Sequence, residues 1–454
     1  MLQRISFFFI LIGLSYTNAN AENWGHWRGV NGNGVAENAN PPVEWSDSTN
    51  VKWKVAVPGK GSGSPIVWGN QVFVVTAVPT GSDSTETAAD AAPQSRPEGD
   101  RERGGRRGGR RRGGRRPSVP LTETEFKLLC FERESGKLAW EKTATTAKPH
   151  QGTHGTNGFA SASPCTDGKH VYAHFGSRGL FCYAMDGELK WKRDDLGRME
   201  TRNSFGEGSS PTIAGEKIIV PWDHEGQSFL FALNKSTGDT IWKIERDEPT
   251  CWATPLIVEH NGKQQIIMNG ENYARSYDLE TGDEIWRCSG QTARPVASAV
   301  THNGLVFVGS GHRGSFLAAF KLGGKGDIEN SDQVVWSVNR DTPDVASPVL
   351  SNGRLYFYKA RNGILSCHDA LTGDPHYTAS RIDGLRSIYA SPIAAGGYIY
   401  LTGRSGTTVV IKDSDKLEIV ATNSVGEGVD ATPAAADDQL FIRGEEHFFC
   451  IEAR

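Results

Sequence analysis

Several motifs that mark common enzyme classes are missing from this sequence of 454 residues. It has no serine-nucleophile motif, no glycine-rich phosphate loop and no cluster of histidine and cysteine with metal-ligand spacing. His150 and His154 lie near each other, but in a glycine-rich stretch without a third ligand. No helical periodicity is present, and the apolar run Phe7–Leu14 is far short of the ~20 residues that cross a bilayer. Composition and motifs therefore give no support to a serine hydrolase, a phosphate-loop NTPase, a zinc enzyme or a membrane-spanning protein.

The sequence contains instead a repeated unit of four short strands. In one unit the strands are predicted at Ser210–Ile213, Lys217–Pro221, Ser228–Leu233 and Thr240–Ile244, separated by turns rich in glycine, asparagine and aspartate. A serine or threonine opens each unit, in all but one case before proline, at Ser64, Ser163, Ser210, Thr254, Ser298, Ser347, Ser391 and Thr432. Most units close with a turn glycine followed by a tryptophan. A period of ~40–50 residues built only from strands is typical of a β-propeller.

The two ends of the repeat region predict how the propeller closes. The last unit, Thr432–Glu452, has three strands, whereas Val51–Val57 forms a single strand ahead of the first unit. Pairing this N-terminal strand with the last unit would leave no exposed sheet edge. We therefore expect an all-β fold over residues 51–454. It is an eight-bladed β-propeller of four-stranded antiparallel blades, its ring closed by an N-terminal strand.

The N-terminal residues indicate export. Residues 1–21 combine a basic start, an apolar run and a small-residue site, which predicts a secretory signal cleaved near Ala21. The mature protein is then expected to be periplasmic or secreted. Residues 22–50 show no period and are expected to form a strap over the propeller. Trp24 and Trp27 would either anchor this strap by burial or stack on a ligand.

The first unit is interrupted by an insertion at about 79–123, which has too few apolar residues to form a core and is predicted to be disordered. Within it, residues 96–117 carry ten arginines against three acidic residues, a net charge of +7. Since the whole chain is at −4, the rest is at about −11. The expected partner is an envelope protein or an anionic polymer that contacts this insertion and the face of the propeller that carries the long polar loops, or else the insertion is a solvated linker. Export argues against nucleic acid, and a monomer is expected.

The seven cysteines fall into two groups. Four occupy equivalent or nearly equivalent places in the third strands of their units, namely Cys130, Cys182, Cys367 and Cys450. Equivalent positions on different blades do not meet, so these four are predicted to be small buried residues. The other three leave one disulfide possible in an exported protein, and they are Cys165, Cys251 and Cys288.

The repeat motifs resemble a known family. Phe231–Trp242 and Tyr277–Trp286 look like repeats of the PQQ-like propellers. That family includes the eight-bladed quinoprotein alcohol dehydrogenases and the non-enzymatic BamB-type outer-membrane assembly factors. The opening Trp24–Gly29 resembles the exported PQQ-like propellers of planctomycetes. These motifs consist of packing residues, so the resemblance implies the fold and leaves the activity open.

The enzymes of this family carry a disulfide between adjacent cysteines and a calcium ion held by glutamate, asparagine and aspartate. No two cysteines are adjacent here, and no motif matches the calcium ligands. Scattered candidates for a cofactor site are Trp252, Asn203, Glu207, Arg294 and Asp344, with Asp247 and Asp430 as further carboxylates. We assign no catalytic residue and no metal ligand, and expect no cofactor. The expected function is an exported non-catalytic binding scaffold. The alternatives are a PQQ- and calcium-dependent alcohol or sugar dehydrogenase and a carbohydrate-binding propeller.

Deleting the insertion, residues 80–122, tests its predicted disorder. We expect the melting temperature to stay nearly unchanged, because the entropy of closing a loop varies only slowly with its length. Trypsin should cleave the parent at the arginines of this stretch and leave the propeller whole. Protection of those arginines in the free protein would contradict the prediction.

Overall fold

The computed structural model describes residues 22–81 and 121–453. The predicted signal peptide, 1–21, and most of the predicted insertion lie outside the described residues. The described chain folds into eight antiparallel sheets, the blades of a β-propeller. Two short 3-10 turns interrupt the strands, at Gly176–Arg178 and Arg202–Ser204.

The N-terminal stretch supplies two strands and the next four units supply blades 1 to 4. The first two strands are β1 (Val35–Ala36) and β2 (Val51–Ala56). Blades 1 and 2 consist of β3 (Ile66–Trp68), β4 (Gln71–Pro79), β5 (Thr124–Glu132), β6 (Leu138–Ala147), β7 (Cys165–Thr166), β8 (His170–His174), β9 (Leu180–Ala184) and β10 (Leu189–Arg193). Blades 3 and 4 consist of β11 (Thr212–Ala214), β12 (Lys217–Trp222), β13 (Ser228–Asn234), β14 (Thr240–Arg246), β15 (Leu256–His260), β16 (Lys263–Met268), β17 (Ala274–Asp278) and β18 (Glu284–Cys288).

Blades 5 to 8 follow the same order. Blades 5 and 6 contain β19 (Val300–His302), β20 (Leu305–Ser310), β21 (Phe316–Lys321), β22 (Gly326–Asp327), β23 (Val334–Val338), β24 (Val349–Ser351), β25 (Arg354–Tyr358), β26 (Ile364–Asp369) and β27 (Pro375–Arg381). Blades 7 and 8 contain β28 (Ile393–Ala395), β29 (Tyr398–Thr402), β30 (Thr407–Lys412), β31 (Ile419–Ser424), β32 (Ala434–Ala436), β33 (Gln439–Arg443) and β34 (His447–Glu452). Two short strands were not predicted: β22 pairs in parallel with β18 of blade 4, and β1 pairs in parallel with β28 of blade 7.

Blade 8 is assembled from both ends of the propeller chain. Strand β2 pairs antiparallel with β34, so that Trp53 lies opposite Cys450. The Trp53 indole is 8 % exposed and its N–H donates to the carbonyl of Arg133 in blade 1 at 2.8 Å. Phe448 packs edge-on against the same indole. The strand order β2–β34–β33–β32 thus makes blade 8 a complete four-stranded antiparallel sheet.

The repeated tryptophans join five of the eight blades to the next one. A small residue on the third strand faces a tryptophan on the fourth, as Ala232 faces Trp242 and Cys182 faces Trp191. Indole N–H groups donate to a carbonyl of the following blade at 2.8–3.1 Å in five cases, from Trp53, Trp140, Trp191, Trp242 and Trp336. The turn glycine of that following blade has positive φ and packs on the indole, so that a Cβ at Gly238 would lie 2.7 Å from Trp191. Glycine is needed there for both reasons.

The cysteines fit this packing pattern. All seven are buried and free. Cys130, Cys182, Cys367 and Cys450 lie on third strands opposite Trp140, Trp191, Tyr377 and Trp53. The small thiol leaves room for the large ring across the strand pair. The prediction that these four are small buried residues is confirmed.

At the axis, the residues that open the units form a closed circle of hydrogen bonds, which we call the serine–threonine ring. Each backbone N–H donates to the hydroxyl oxygen of the next blade at 2.8–3.2 Å, and the last returns to the first. The members in order are Ser64, Ser163, Ser210, Thr254, Ser298, Ser347, Ser391 and Thr432. All eight residues are buried. Ser298, which lacks the following proline, completes the ring as well as the others do.

The strap crosses the end of the propeller that carries the turns between first and second strands. Trp24 is 1 % exposed and pairs through its backbone with Val67 of β3. Arg28 is buried on the axis, where its guanidinium donates to the carbonyls of Pro392, Pro348 and Asn33. Burial lowers the pKa of Arg28 to about 9. One strap side chain therefore touches the inner strands of two blades at once.

Replacing a ring hydroxyl tests the role of the serine–threonine ring. In Ser347→Ala the buried N–H of Ser298 loses its acceptor. We expect the free energy of unfolding to fall by about 1–3 kcal/mol, the usual cost of an unsatisfied buried donor. The matched control is Ser347→Thr, which keeps the hydroxyl; threonine already occupies two of the eight ring positions. Chemical unfolding should rank Ala below Thr and the parent; an Ala variant as stable as the parent would contradict this role.

Candidate functional site

A funnel of about 360 Å³ opens on the axis of the propeller. Loops that join successive blades form most of its wall, and we call the end where they emerge the loop face. Two further wall residues, His312 and Arg361, come from loops between second and third strands of blades 5 and 6. We refer to this cavity as the axial funnel. Its volume lies in the range of roughly 300–1,000 Å³ that is usual for small-molecule sites.

The serine–threonine ring and the strap form the narrow end of the axial funnel. Seven of the eight ring residues line the cavity, Ser347 being the exception. Trp27 of the strap lines it as well and is half-buried. The Arg28 guanidinium lies 5.5 Å from the Trp27 ring centre. Of the two strap tryptophans, Trp24 is thus a buried anchor and Trp27 is part of the cavity wall.

Three of the five sequence-predicted candidates meet in the axial funnel, namely Trp252, Arg294 and Asp344. Asp430 lines it too. The other two candidates are elsewhere. Glu207 lies in an adjoining pocket, and Asn203 is exposed in a 3-10 turn.

Trp252 is fixed at the funnel wall by two backbone groups. Its indole N–H donates to the carbonyl of Gly206 at 2.7 Å, and its own N–H donates to the carbonyl of Pro295 at 3.0 Å. The Phe205 ring lies beside it at 6.4 Å between ring centres. The indole is therefore held between the loops that precede blades 3 and 5.

A buried ionic network anchors the loop that carries Trp252. Arg246 at the end of β14 makes two hydrogen bonds to the Asp223 carboxylate, at 2.8 and 3.0 Å, and a third to the Tyr277 hydroxyl. The side chains of Arg246 and Asp223 are 0 % and 1 % exposed. Burial alone would lower the pKa of Arg246, but the Asp223 charge raises it well above its usual value. Four residues further on, the Thr250 hydroxyl donates to the Glu225 carboxylate, which ties this loop to the connection between β12 and β13.

Arg294 is held in an unusual backbone conformation on the funnel wall. Its φ is 58°, in the left-handed region that non-glycine residues seldom adopt. The Glu271 carboxylate accepts the Arg294 N–H at 2.9 Å and so holds this turn. The guanidinium lies 5.1 Å from the centre of the Phe205 ring. Its Nε is buried and makes no hydrogen bond within the described chain, and the same is true of Nε2 of His312.

The two carboxylates of the axial funnel are each paired with an arginine. Asp344 is 3.3 Å from Nε of Arg361, and Asp430 accepts two hydrogen bonds from Arg404 at 2.5 and 3.0 Å. Burial raises the pKa of Asp344, and the charge of Arg361 offsets part of that rise. Tyr389 stands between the two pairs, with the Arg404 guanidinium 4.7 Å from its ring centre.

Glu207 is engaged inside the protein. Its two carboxylate oxygens accept the N–H and the hydroxyl of Ser177, both at 2.6 Å. Burial raises the pKa of Glu207, against the effect of these hydrogen bonds. A Cβ at Gly176 would lie 1.7 Å from this carboxylate, so glycine at position 176 makes the approach possible. His150 and His154, spaced like metal ligands in the sequence, instead contact the Met199 carbonyl and Thr156.

Comparison with known proteins identifies the repeats. The family model described as outer membrane protein assembly factor BamB matches residues 124–374 and 225–454 in overlapping alignments. The chain belongs to this family of PQQ-like propellers. The matches cover most of the chain, and the prediction of a PQQ-like propeller is confirmed.

The proteins to which this chain is similar carry names that describe different functions. BamB from Moraxella catarrhalis aligns with 71 % of this chain and 91 % of its own, at a TM-score of 0.50 and 12 % identity. Quinohemoprotein alcohol dehydrogenase from Comamonas testosteroni aligns with 96 % of this chain and 82 % of its own, at a TM-score of 0.58 and 9 % identity. Subunit 1 of methanol dehydrogenase [cytochrome c] from Methylorubrum extorquens is 28 % identical over 89 residues, 18 % of this chain and 13 % of that protein. At these identities the solved structures show the fold alone.

The residues of this PQQ-like propeller do not fit a calcium-bound quinone at the axial funnel. Calcium takes six to eight oxygen ligands from carboxylates, carbonyls and water, and a carboxylate that already binds an arginine is a poor ligand for it. Here Asp344 and Asp430 face guanidinium groups, and Glu207 is bound to Ser177. Among the described residues, one group of side chains is spaced closely enough to hold a metal ion, and it consists of Glu427, Glu446 and His447. The Glu427 carboxylate in this group already accepts two backbone N–H groups.

Sequence reasoning missed three wall residues of the axial funnel, His312, Arg361 and Tyr389, and it missed the serine–threonine ring as the floor. Each lies on a loop that ends or begins at a predicted strand. A signal was present, since the serine or threonine recurs at the same point of every unit. The recurrence by itself does not show which atoms face the axis, so it does not identify the floor.

Breaking the buried pair that anchors the Trp252 loop should destabilise the propeller. In Asp223→Asn the buried Arg246 charge loses its counter-charge, which typically costs about 3–5 kcal/mol. The matched control is Asp195→Asn, since Asp195 pairs with Arg193 but its side chain is 65 % exposed. That change should cost less than about 1 kcal/mol. Calorimetric melting of both variants would show the difference, and equal melting temperatures would disprove the role of the buried pair.

Proposed function

We propose that this protein is an exported, non-catalytic propeller that holds a partner or ligand at its loop face in the cell envelope. One observation carries the proposal. The axial funnel is closed at its narrow end, is lined by hydroxyl, cationic and aromatic groups, and has its carboxylates already paired with arginines. Such a site can bind, but it offers no free carboxylate as a general base.

Membership of this family supports the proposed location in the cell envelope and the proposed role in binding a partner. The family description names an outer membrane assembly factor, and a BamB structure shares the fold. The proposed secretory signal, residues 1–21, would deliver this chain to the same compartment. No helix in the described part of the chain is long and apolar enough to cross a membrane.

The proposed insertion adds a second contact to the loop face. It leaves blade 1 after β4 and re-enters at β5, where Pro79 pairs with Thr124. Connections between second and third strands emerge at the loop face. An arginine-rich segment placed there would attract an anionic partner, an attraction that salt weakens because the Debye length is ~8 Å at physiological ionic strength.

A quinone-dependent dehydrogenase is the competing function, and titration with PQQ and Ca²⁺ distinguishes the two. We expect no saturable change in quinone absorbance and no dye-linked oxidation of alcohols or sugars, because the carboxylates that calcium needs are paired with arginines. An authentic quinoprotein dehydrogenase run in parallel is the positive control. Saturable, calcium-dependent quinone binding together with dye reduction would overturn the proposed function.

A further inference from the structure

The floor of the axial funnel presents hydroxyl hydrogens that no described residue accepts. Every hydroxyl oxygen of the serine–threonine ring accepts one backbone N–H, and none of the eight donates a hydrogen bond within the described chain. A hydroxyl group has one hydrogen to donate and two lone pairs. Seven of these groups line the cavity. The floor is therefore a circle of neutral donors, which suits a ligand rich in hydroxyl and ether oxygens.

The wall above this floor carries one unneutralised positive charge. Among the described residues, no carboxylate lies within ion-pair distance of the Arg294 guanidinium, whereas Arg361 and Arg404 each face an aspartate. The buried Nε of Arg294 and the buried Nε2 of His312 both lack a partner in the described chain. Since buried polar atoms are normally hydrogen-bonded, these two point to a ligand. A single negatively charged group would satisfy them.

The Arg294 side chain is held in place before any ligand binds. Its left-handed backbone is pinned by the Glu271 carboxylate, and its guanidinium lies over Phe205. Strained conformations of this kind persist where the surroundings fix them, and they concentrate at ligand sites. A pre-positioned guanidinium loses little side-chain entropy when it binds an anion.

Aromatic rings complete the wall and limit what can enter. Trp252 and Tyr389 line the sides of the axial funnel, and Trp27 lies at its narrow end. Aromatic side chains offer a flat apolar surface to a ligand. The strap lies across the far end, where His26, Asn33 and Arg28 contact blades 3, 5, 6 and 7, so the loop face is the entrance to the axial funnel. Only the end of a chain can reach the floor.

We infer that the axial funnel binds the terminal acidic sugar of a uronic-acid-containing glycan. Its carboxylate would lie on Arg294 and His312, its hydroxyl groups on the serine–threonine ring, and one face of its ring on Trp252. This inference rests on the proposed binding function and names the ligand for it. Charge, neutral donors and an aromatic wall occur together here, and an acidic sugar is the chemistry that uses all three.

Calorimetric titration with sodium glucuronate tests the inference, with glucose as the neutral counterpart and acetate as the bare carboxylate. We expect saturable binding of glucuronate to the full-length protein and at least tenfold weaker binding of glucose and of acetate. Arg294→Gln should weaken glucuronate binding by about tenfold or more and leave glucose binding unchanged, because a hydrogen bond to a charged group is lost. Arg294→Lys, which keeps the charge, should lose less.

The matched control is Arg381→Gln, which removes the same charge from an exposed residue. It should bind glucuronate like the parent, and melting curves of all variants establish that they are folded. Three results would overturn the inference: no saturable glucuronate binding, equal weakening by the Arg294 and Arg381 substitutions, or acetate binding as tightly as glucuronate. If the protein binds neither glucuronate nor quinone, only the assignment of the ligand is wrong. If it binds quinone in a calcium-dependent manner, the proposed non-catalytic function is wrong.

Discussion

The serine–threonine ring is the constraint on which the rest of the structure depends. Eight blades meet at the axis, where first strands diverge and cannot pair with one another. Their buried N–H groups still need acceptors. A hydroxyl from the next blade supplies each one, so that every blade is bonded to both neighbours and the circle closes between Thr432 and Ser64.

A second set of contacts, at larger radius, holds the blades at a fixed distance. Tryptophans on the fourth strands donate to carbonyls of the next blade, and turn glycines pack on their rings. The Trp53 indole N–H donates to the Arg133 carbonyl and so links blade 8 to blade 1 by the same kind of contact. The strap adds a contact between neighbouring blades 6 and 7 through Arg28, which donates to the carbonyls of Pro348 and Pro392. The ring therefore spans all eight blade interfaces, the indoles support five of them, and Arg28 supports the interface between blades 6 and 7, where no indole of the described chain makes this contact.

This scaffold leaves function to the loops at one end. Enzymes and assembly factors share the fold, so the repeat motifs do not separate them. The separation lies in the atoms that face the axial funnel. In this chain the acidic groups are neutralised by Arg361 and Arg404, while Arg294 is not neutralised by any described carboxylate. The axial funnel of this chain therefore presents hydrogen-bond donors, while its two carboxylates are paired.

The sequence by itself determined the propeller, the number of blades and the packing role of its repeated residues. The reason is that each unit solves the same local problem, so a serine, a glycine and a tryptophan recur at fixed distances and their roles can be inferred from any one unit. Strand bounds agreed closely, as for Lys217–Trp222 against the predicted Lys217–Pro221. Cys182 lies opposite Trp191, which agrees with its predicted role as a small buried residue of the repeat.

Only the tertiary structure decided which loop residues meet. Trp252, Arg294 and Asp344 are brought to one funnel, while Asn203 and Glu207 are not. The loops differ from blade to blade, so no repeat relates them, and their side chains converge from positions far apart in the chain. The parallel strands β1 and β22 were missed for the same reason, because each depends on a contact made once. The roles of repeated residues can be inferred from the chemistry of one unit, whereas contacts that occur only once become visible only when the ring of blades is closed.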